Sequence, residues 1–180
     1  GVPYPWSRYD QICVHDFIFG GMENVAATTM TDLMLLDDRG ALDMDFDTLV
    51  AHELMHQWFG DLVTCQDWSQ AWLNEGWATY GEHLWMVEDL GAEEADLQRF
   101  GWLERYLGEH GGRYHRPLVL WDYRNPIDLF DRHLYEKGGL VLHTLRHELG
   151  EQGFWAGVRR YLADNRFGAV GLETDEITVV

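Results

Sequence analysis

The chain has 180 residues, an apolar fraction of 46% and nine tryptophans, enough for one domain with a substantial core and too much for wholesale disorder. Thirteen Lys and Arg against 31 Asp and Glu leave a formal net charge of −18, which argues against nucleic acid or an anionic membrane as the main partner, because such surfaces are held by clustered cations. No run of roughly 18 apolar residues offers a spanning helix, and residues 1–8 lack the basic start and apolar stretch of a secretory signal. Cys13 and Cys65 are too few for a disulfide framework or a cysteine-built metal site. As free thiols they point to the cytoplasm.

Gln11 to Phe19 is dense in β-branched and aromatic residues and runs into Gly20-Gly21, which predicts a strand broken by a glycine pair. Val25 to Leu36 predicts a second strand, closed by the turn Asp37-Asp38-Arg39-Gly40. From Phe46 to Phe59, Leu49, Val50, Leu54, Met55 and Trp58 recur at helical spacing, with Asp45 or Asp47 as the N-cap. Further helices are predicted over Ser69–Leu90 with Ser69 as the cap, Ala92–Glu109, Leu134–Leu149 and Gln152–Asn165. Gly111-Gly112, Pro117 and Pro126 mark a long irregular connection, and the Val170–Val180 tail has no assignable pattern. The expected fold class is α+β, mostly helical, with a short β-rich start. Two strands alone make a marginal sheet, so neighbouring strands are expected outside this stretch of chain.

The strongest pattern is His52-Glu53-Leu54-Met55-His56, inside the helix predicted over 46–59. Helical residues four apart share one face, so both imidazoles can reach one metal ion, and Glu53 lies beside that face where it can take a proton from water at the metal. A catalytic zinc needs three protein ligands and one open position. Glu75 is a candidate third ligand: eighteen residues, 57 to 74, separate it from His56, and it lies near the start of the next predicted helix, which can fold back antiparallel. His143 and His147 are also four apart, but no acid follows His143. Leu134, Val141, Leu145 and Leu149 form the core stripe there, which puts that pair on the flank or surface. Trp58, Trp68, Trp72 and Trp77 crowd the metal motifs and read as core packing. Asp67 and Thr79 are the candidates for orienting the ligand imidazoles.

His52 to His56, the eighteen-residue gap and Asn74-Glu75-Gly76 together resemble the gluzincin zinc aminopeptidases, the family of aminopeptidase N and the leukotriene-converting epoxide hydrolase. Gly20-Gly21-Met22-Glu23-Asn24 looks like that family's exopeptidase motif, and Tyr135-Glu136-Lys137-Gly138-Gly139 like the segment carrying its catalytic tyrosine. The likeness runs from Pro3-Tyr4-Pro5-Trp6 to about Tyr161. It implies a partial thermolysin-like catalytic domain over residues 1–180, with the cleft between a β-containing and a helical part. One zinc would be held by His52, His56 and Glu75. Glu53 would be the general base, Tyr135 the oxyanion donor, and Gly20, Gly21, Met22 and Glu23 the substrate-binding residues. The family's enzymes are much larger, so the Gly1 start and the tail read as the ends of an excised piece, with an N-terminal β-domain and a C-terminal helical domain expected as intramolecular partners.

The implied substrate is a peptide with a free N-terminus. Its α-amino group is largely protonated near neutral pH, and a carboxylate at Glu23 would pair with it; an internal peptide would leave that carboxylate desolvated and unpaired. Gly20 and Gly21 would let a substrate backbone lie against theirs, by strand addition. A phenol at Tyr135 would face the developing oxyanion from the side opposite the metal. By spacing alone Glu23 reads as a turn carboxylate and Tyr135 as a packed surface residue, and only the resemblance gives them these roles. An endopeptidase or epoxide hydrolase on the same scaffold, and a non-catalytic zinc-binding fragment, remain as alternative readings.

Overall fold

Three short strands precede the helices: β1 (Asp10–Val14), β2 (Gly21–Met22) and β3 (Ala27–Thr31) form one sheet in the order β1-β3-β2. β1 runs parallel to β3, with Asp10 opposite Ala27 and Val14 opposite Thr31, whereas β2 is antiparallel to β3 and forms an edge. The structure, a computed structural model, describes residues 1–165 and the backbone of 168–170. After the sheet come α1 (Asp47–His56), β4 (Val63–Cys65), α2 (Trp72–Asp89), α3 (Ala92–Gly112) and α4 (Glu136–Asp164), then β5 (Gly168–Val170), which pairs in parallel with β4. The fold is α+β and mostly helical, and no helix among the described residues is long and apolar enough to cross a membrane.

The differences from the sequence expectation are local. The first strand ends at Val14 rather than Phe19, because Asp16 turns the chain with a φ of 54°. The second ends at Thr31, whose Oγ1 accepts from Leu33 N at 3.3 Å and starts a 3₁₀ turn over Asp32–Met34. Side-chain capping of this kind competes with continued strand pairing. The N-cap of α1 is Phe46, without a side-chain cap; Asp45 Oδ1 accepts from Asp47 N at 3.3 Å just ahead of it. In front of α2, Asp67 rather than Ser69 is the cap: its Oδ1 accepts from Ser69 N at 2.9 Å and closes a 3₁₀ turn over Trp68–Gln70. The two last predicted helices are one run broken at Gly150, whose φ of 68° and ψ of 165° are non-helical and suit a residue without Cβ. Of the Val170–Val180 tail, only the backbone of Val170 lies within the described residues.

α2 is the centre of the helical part, packed by α1, α3 and α4. Phe59 and Trp77 stack at 4.1 Å between centroids, and Tyr80, Leu134, Leu142 and Phe154 complete the core around them. Trp72 and Trp77 are buried as expected and Trp58 packs against the core's edge, whereas Trp68 is 49% exposed. The contact between α2 and α4 is a backbone approach: a Cβ built on Gly76 would lie 3.0 Å from Gly138 Cα, and one on Gly138 would lie 2.8 Å from Gly76 Cα. Neither partner can rotate away, since both atoms are main chain. Gly76→Ala and Gly138→Ala are each expected to destabilise the protein by roughly 1–3 kcal/mol, read from denaturant or thermal unfolding; unchanged stability in both would show that the helices can separate without cost.

Candidate metal centre

α2 folds back along α1, and a Cβ on Gly81 would come within 2.8 Å of Met55 Cβ, so the two helices lie close. His52 and His56 stand one turn apart on α1 with their rings edge to face, 4.9 Å between centroids. Glu75, in the first turn of α2, brings one oxygen to both: Oε2 is 3.2 Å from His52 Nε2 and 3.3 Å from His56 Nε2. The three candidate ligand atoms lie within 4.8 Å of one another. Two imidazoles and one carboxylate are a donor set of catalytic zinc. Beside them, Glu53 Oε2 is buried without a hydrogen-bond partner, an arrangement that is costly unless a cation or water satisfies it. The residues fit a divalent ion.

Both rings are oriented from behind. His52 Nδ1 is 2.7 Å from Glu82 Oε1, and His56 Nδ1 is 3.0 Å from the carbonyl oxygen of Phe59, so each Nε2 faces Glu75. These are not the partners expected from sequence: Asp67 caps the 3₁₀ turn, and Thr79 Oγ1 is buried without a partner. Glu82 carries a legible signal all the same, since it follows Glu75 by two helical turns and so shares its face. The carbonyl of Phe59 carries none, because any residue has one.

Charge is concentrated here. Burial favours neutral imidazoles, but Glu75 and Glu82 outweigh it and raise His52 well above its ordinary value, while Glu75 brings His56 up to about 9. Burial would raise Glu75 as well, yet the two imidazoles hold it well below the usual carboxylate range. Glu53 is pushed up to about 7 by burial, with His52 and His56 opposing and Glu23 adding to it.

The remaining predicted residues surround these three candidate ligands. The cleft has a volume of about 1030 Å³ and is lined by Gly20, Gly21, Met22 and Glu23 on the sheet side and by Trp68, Phe130 and Tyr135 opposite. Gly21 meets a steric demand of its own: a Cβ there would sit 2.3 Å from the Glu53 carboxyl. Carboxylate oxygens of Glu23 and Glu53 and a ring nitrogen of His56 lie within 4.8 Å of one another. Tyr135 stacks on His52, with centroids 6.0 Å apart and planes 29° apart, and burial together with Glu75, Glu23 and Glu53 raises its phenol far above the ordinary range.

Tyr135 is held by a turn that sequence reasoning passed over. The Asp131 carboxylate accepts from His133 N and Leu134 N, both at 2.9 Å, and its carbonyl accepts from Tyr135 N at 3.3 Å. Arg116 clamps Asp131 in two bonds of 2.7 and 2.8 Å, with Tyr114 donating its hydroxyl to the same carboxylate. Asp131 also lies with Glu109 and His133 in a second group of candidate ligand atoms within 4.8 Å of one another, but its carboxylate is already paired with this buried guanidinium. His143 on α4 packs against His83 and Tyr80 of α2, and His147 is exposed.

The sequence profile of the Peptidase family M1 domain matches residues 1–176. Aminopeptidase N of Streptomyces lividans is 33% identical over 186 residues, covering 92% of this chain and 20% of its own length. Among solved structures, yeast leukotriene A4 hydrolase in complex with bestatin superposes with a TM-score of 0.81 at 30% identity over 96% of this chain and 28% of its own. The M1 zinc metallopeptidase of Deinococcus radiodurans gives a TM-score of 0.76 at 29% identity, covering 94% and 34%. The chain thus spans about a fifth of the length of the curated relatives it matches.

Two measurements test the metal centre. Glu82→Ala frees the His52 ring and is expected to weaken zinc binding by about 10- to 100-fold in a chelator competition; unchanged affinity would show that Glu82 orients nothing. A zinc ligand must be unprotonated, and His56 in the metal-free protein holds its proton up to about pH 9. Zinc uptake should therefore release protons and weaken as pH falls below about 9, seen as buffer-dependent heats in calorimetry; a flat pH profile would contradict this assignment.

Proposed function

The chain belongs to the peptidase M1 family, and from that premise we propose that it forms the zinc-dependent catalytic core of an aminopeptidase that removes residues from the free N-terminus of peptides. The observation that carries this reading is the single Glu75 oxygen set 3.2 and 3.3 Å from the two Nε2 atoms of His52 and His56. Residues 1–180 are read as part of a thermolysin-like domain, with the rest of the longer protein as intramolecular partner. The two free thiols fit a reducing compartment, the cytoplasm.

His52, His56 and Glu75 would hold one zinc ion, which supplies a Lewis acid for the scissile carbonyl and lowers the pKa of water. Glu53, pushed up to about 7 by burial, is matched to take a proton from the attacking water and return it to the leaving amine. Tyr135 keeps its phenolic proton at neutral pH and would donate it as a hydrogen bond to the carbonyl oxygen as negative charge grows there. Glu23 would pair with the substrate's ammonium and so fix the distance to the bond that breaks. β2 is an edge strand, so its free side can receive the substrate backbone as an added strand.

Aminoacyl-anilides and their N-acetylated counterparts test this directly. Cleavage is expected for the free amines and loss of it on acetylation; equal rates would sink the amine-recognition part. Glu53→Gln should lower kcat by about 100-fold or more with zinc content retained. Stoichiometric zinc with no activity for Glu53→Gln to remove would instead identify a zinc-binding module.

A further inference from the structure

Gln57 follows the second metal ligand and is 0% exposed. Its Nε2 donates to Asp61 Oδ2 at 2.8 Å and to the backbone carbonyl of Glu23 at 3.2 Å, with the carbonyl of Asn24 at 3.5 Å. Its Oε1 accepts from Ala26 N at 2.9 Å, and the Tyr4 hydroxyl, whose single proton also faces the Arg8 carbonyl at 3.0 Å, lies 3.2 Å away. A primary amide has two donors and two acceptor lone pairs, and here both donors and the acceptor oxygen are engaged. Three of these partners belong to the segment from Glu23 to Ala26.

That segment needs holding. Ala26 has a φ of 59°, in the left-handed region that residues with a Cβ rarely adopt, and such a conformation persists only when its surroundings over-determine it. The strand before it, β2, is two residues long and has β3 as its strand partner. The bonds that tie the end of this segment to the helical part pass through the Gln57 carboxamide, at the end of the helix carrying His52, Glu53 and His56.

We propose that Gln57 is a positioning residue that sets the Glu23 carboxylate relative to the metal ligands, so that one buried side chain fixes the span between amine binding and bond cleavage. It contacts no substrate itself, and the inference rests on the reading of Glu23 as the amine-binding residue. An amide suits this place where a carboxylate or an apolar chain would not, because backbone carbonyls and a backbone N–H must be satisfied by the same group.

The test compares the zinc-loaded wild type with Glu23→Ala, Gln57→Met and the double variant on an aminoacyl-anilide, with zinc content measured alongside. Gln57→Met is expected to raise KM about tenfold while kcat stays within about threefold, with zinc retained. In the Glu23→Ala background the same substitution should change KM little, since a brace for an absent carboxylate has nothing to hold. An equal KM rise in both backgrounds, loss of zinc, or a fall in kcat alone overturns the positioning role. Unchanged KM in Glu23→Ala overturns the amine-binding reading itself, whereas raised KM there with a silent Gln57→Met overturns only the role of Gln57. Should Gln57→Met not fold, Gln57→Glu keeps an acceptor for Ala26 N but removes the donors to the Glu23 carbonyl and Asp61: a KM rise of about twofold or more with zinc retained supports the proposal, and unchanged KM overturns it.

Discussion

One carboxylate oxygen facing two imidazole nitrogens is the constraint on which this structure turns. Glu75 Oε2 meets His52 and His56 only because α2 lies against α1 at a spacing that Gly81 permits beside Met55. A buried group of two imidazoles and several carboxylates is unfavourable unless every charge is paired or bound to a cation. Glu82 and the Phe59 carbonyl answer part of that need from behind, and the donor set in front matches a divalent ion. The same contacts that settle the electrostatics aim both Nε2 atoms at one point.

The cleft joins two kinds of structure around that point. On one side the edge strand β2 comes so close to α1 that only glycine fits opposite the Glu53 carboxyl. On the other, α4 reaches the centre through the backbone contact of Gly138 with Gly76, one residue after Glu75, so the helix that follows Tyr135 is registered against the helix that carries Glu75. The buried Arg116–Asp131 pair then shapes the turn just before Tyr135. Small residues at helix crossings and a saturated ion pair therefore do the same job as the ligands' own partners: they remove freedom from side chains whose chemistry depends on position.

Position matters as much on the sheet side. Glu23 leaves a strand of two residues and enters a turn with a left-handed alanine, which is poor local support for a carboxylate that must sit near Glu53 and His56. The carboxamide of Gln57 ties this turn to α1. Under the proposed reading, attraction between a substrate ammonium and Glu23 would fall with distance, so the quantity that would matter is the fixed separation of that carboxylate from His52, His56 and Glu75.

Much of the centre was legible in one dimension because helical spacing is a local rule. His52 and His56 share a face whatever surrounds them; periodicity marked the helix expected over 46–59, and the helices expected over 69–90 and 92–109 correspond to those found over 72–89 and 92–112. Glu23 and Tyr135 were reachable only through a resemblance, since nothing in their spacing marks a carboxylate or a phenol as facing a metal 30 or 80 residues away in the chain. The ends of the first strands, the caps at Asp67 and Phe46 and the short strands β4 and β5 were missed because hydrogen-bond competition and distant pairing decide them. What only the tertiary structure decided is which groups stand behind the candidate ligands. Glu82, the Phe59 carbonyl, Gln57 and Asp131 act through single contacts between segments distant in the chain or through backbone atoms common to all residues, and such contacts exist only once the helices have packed.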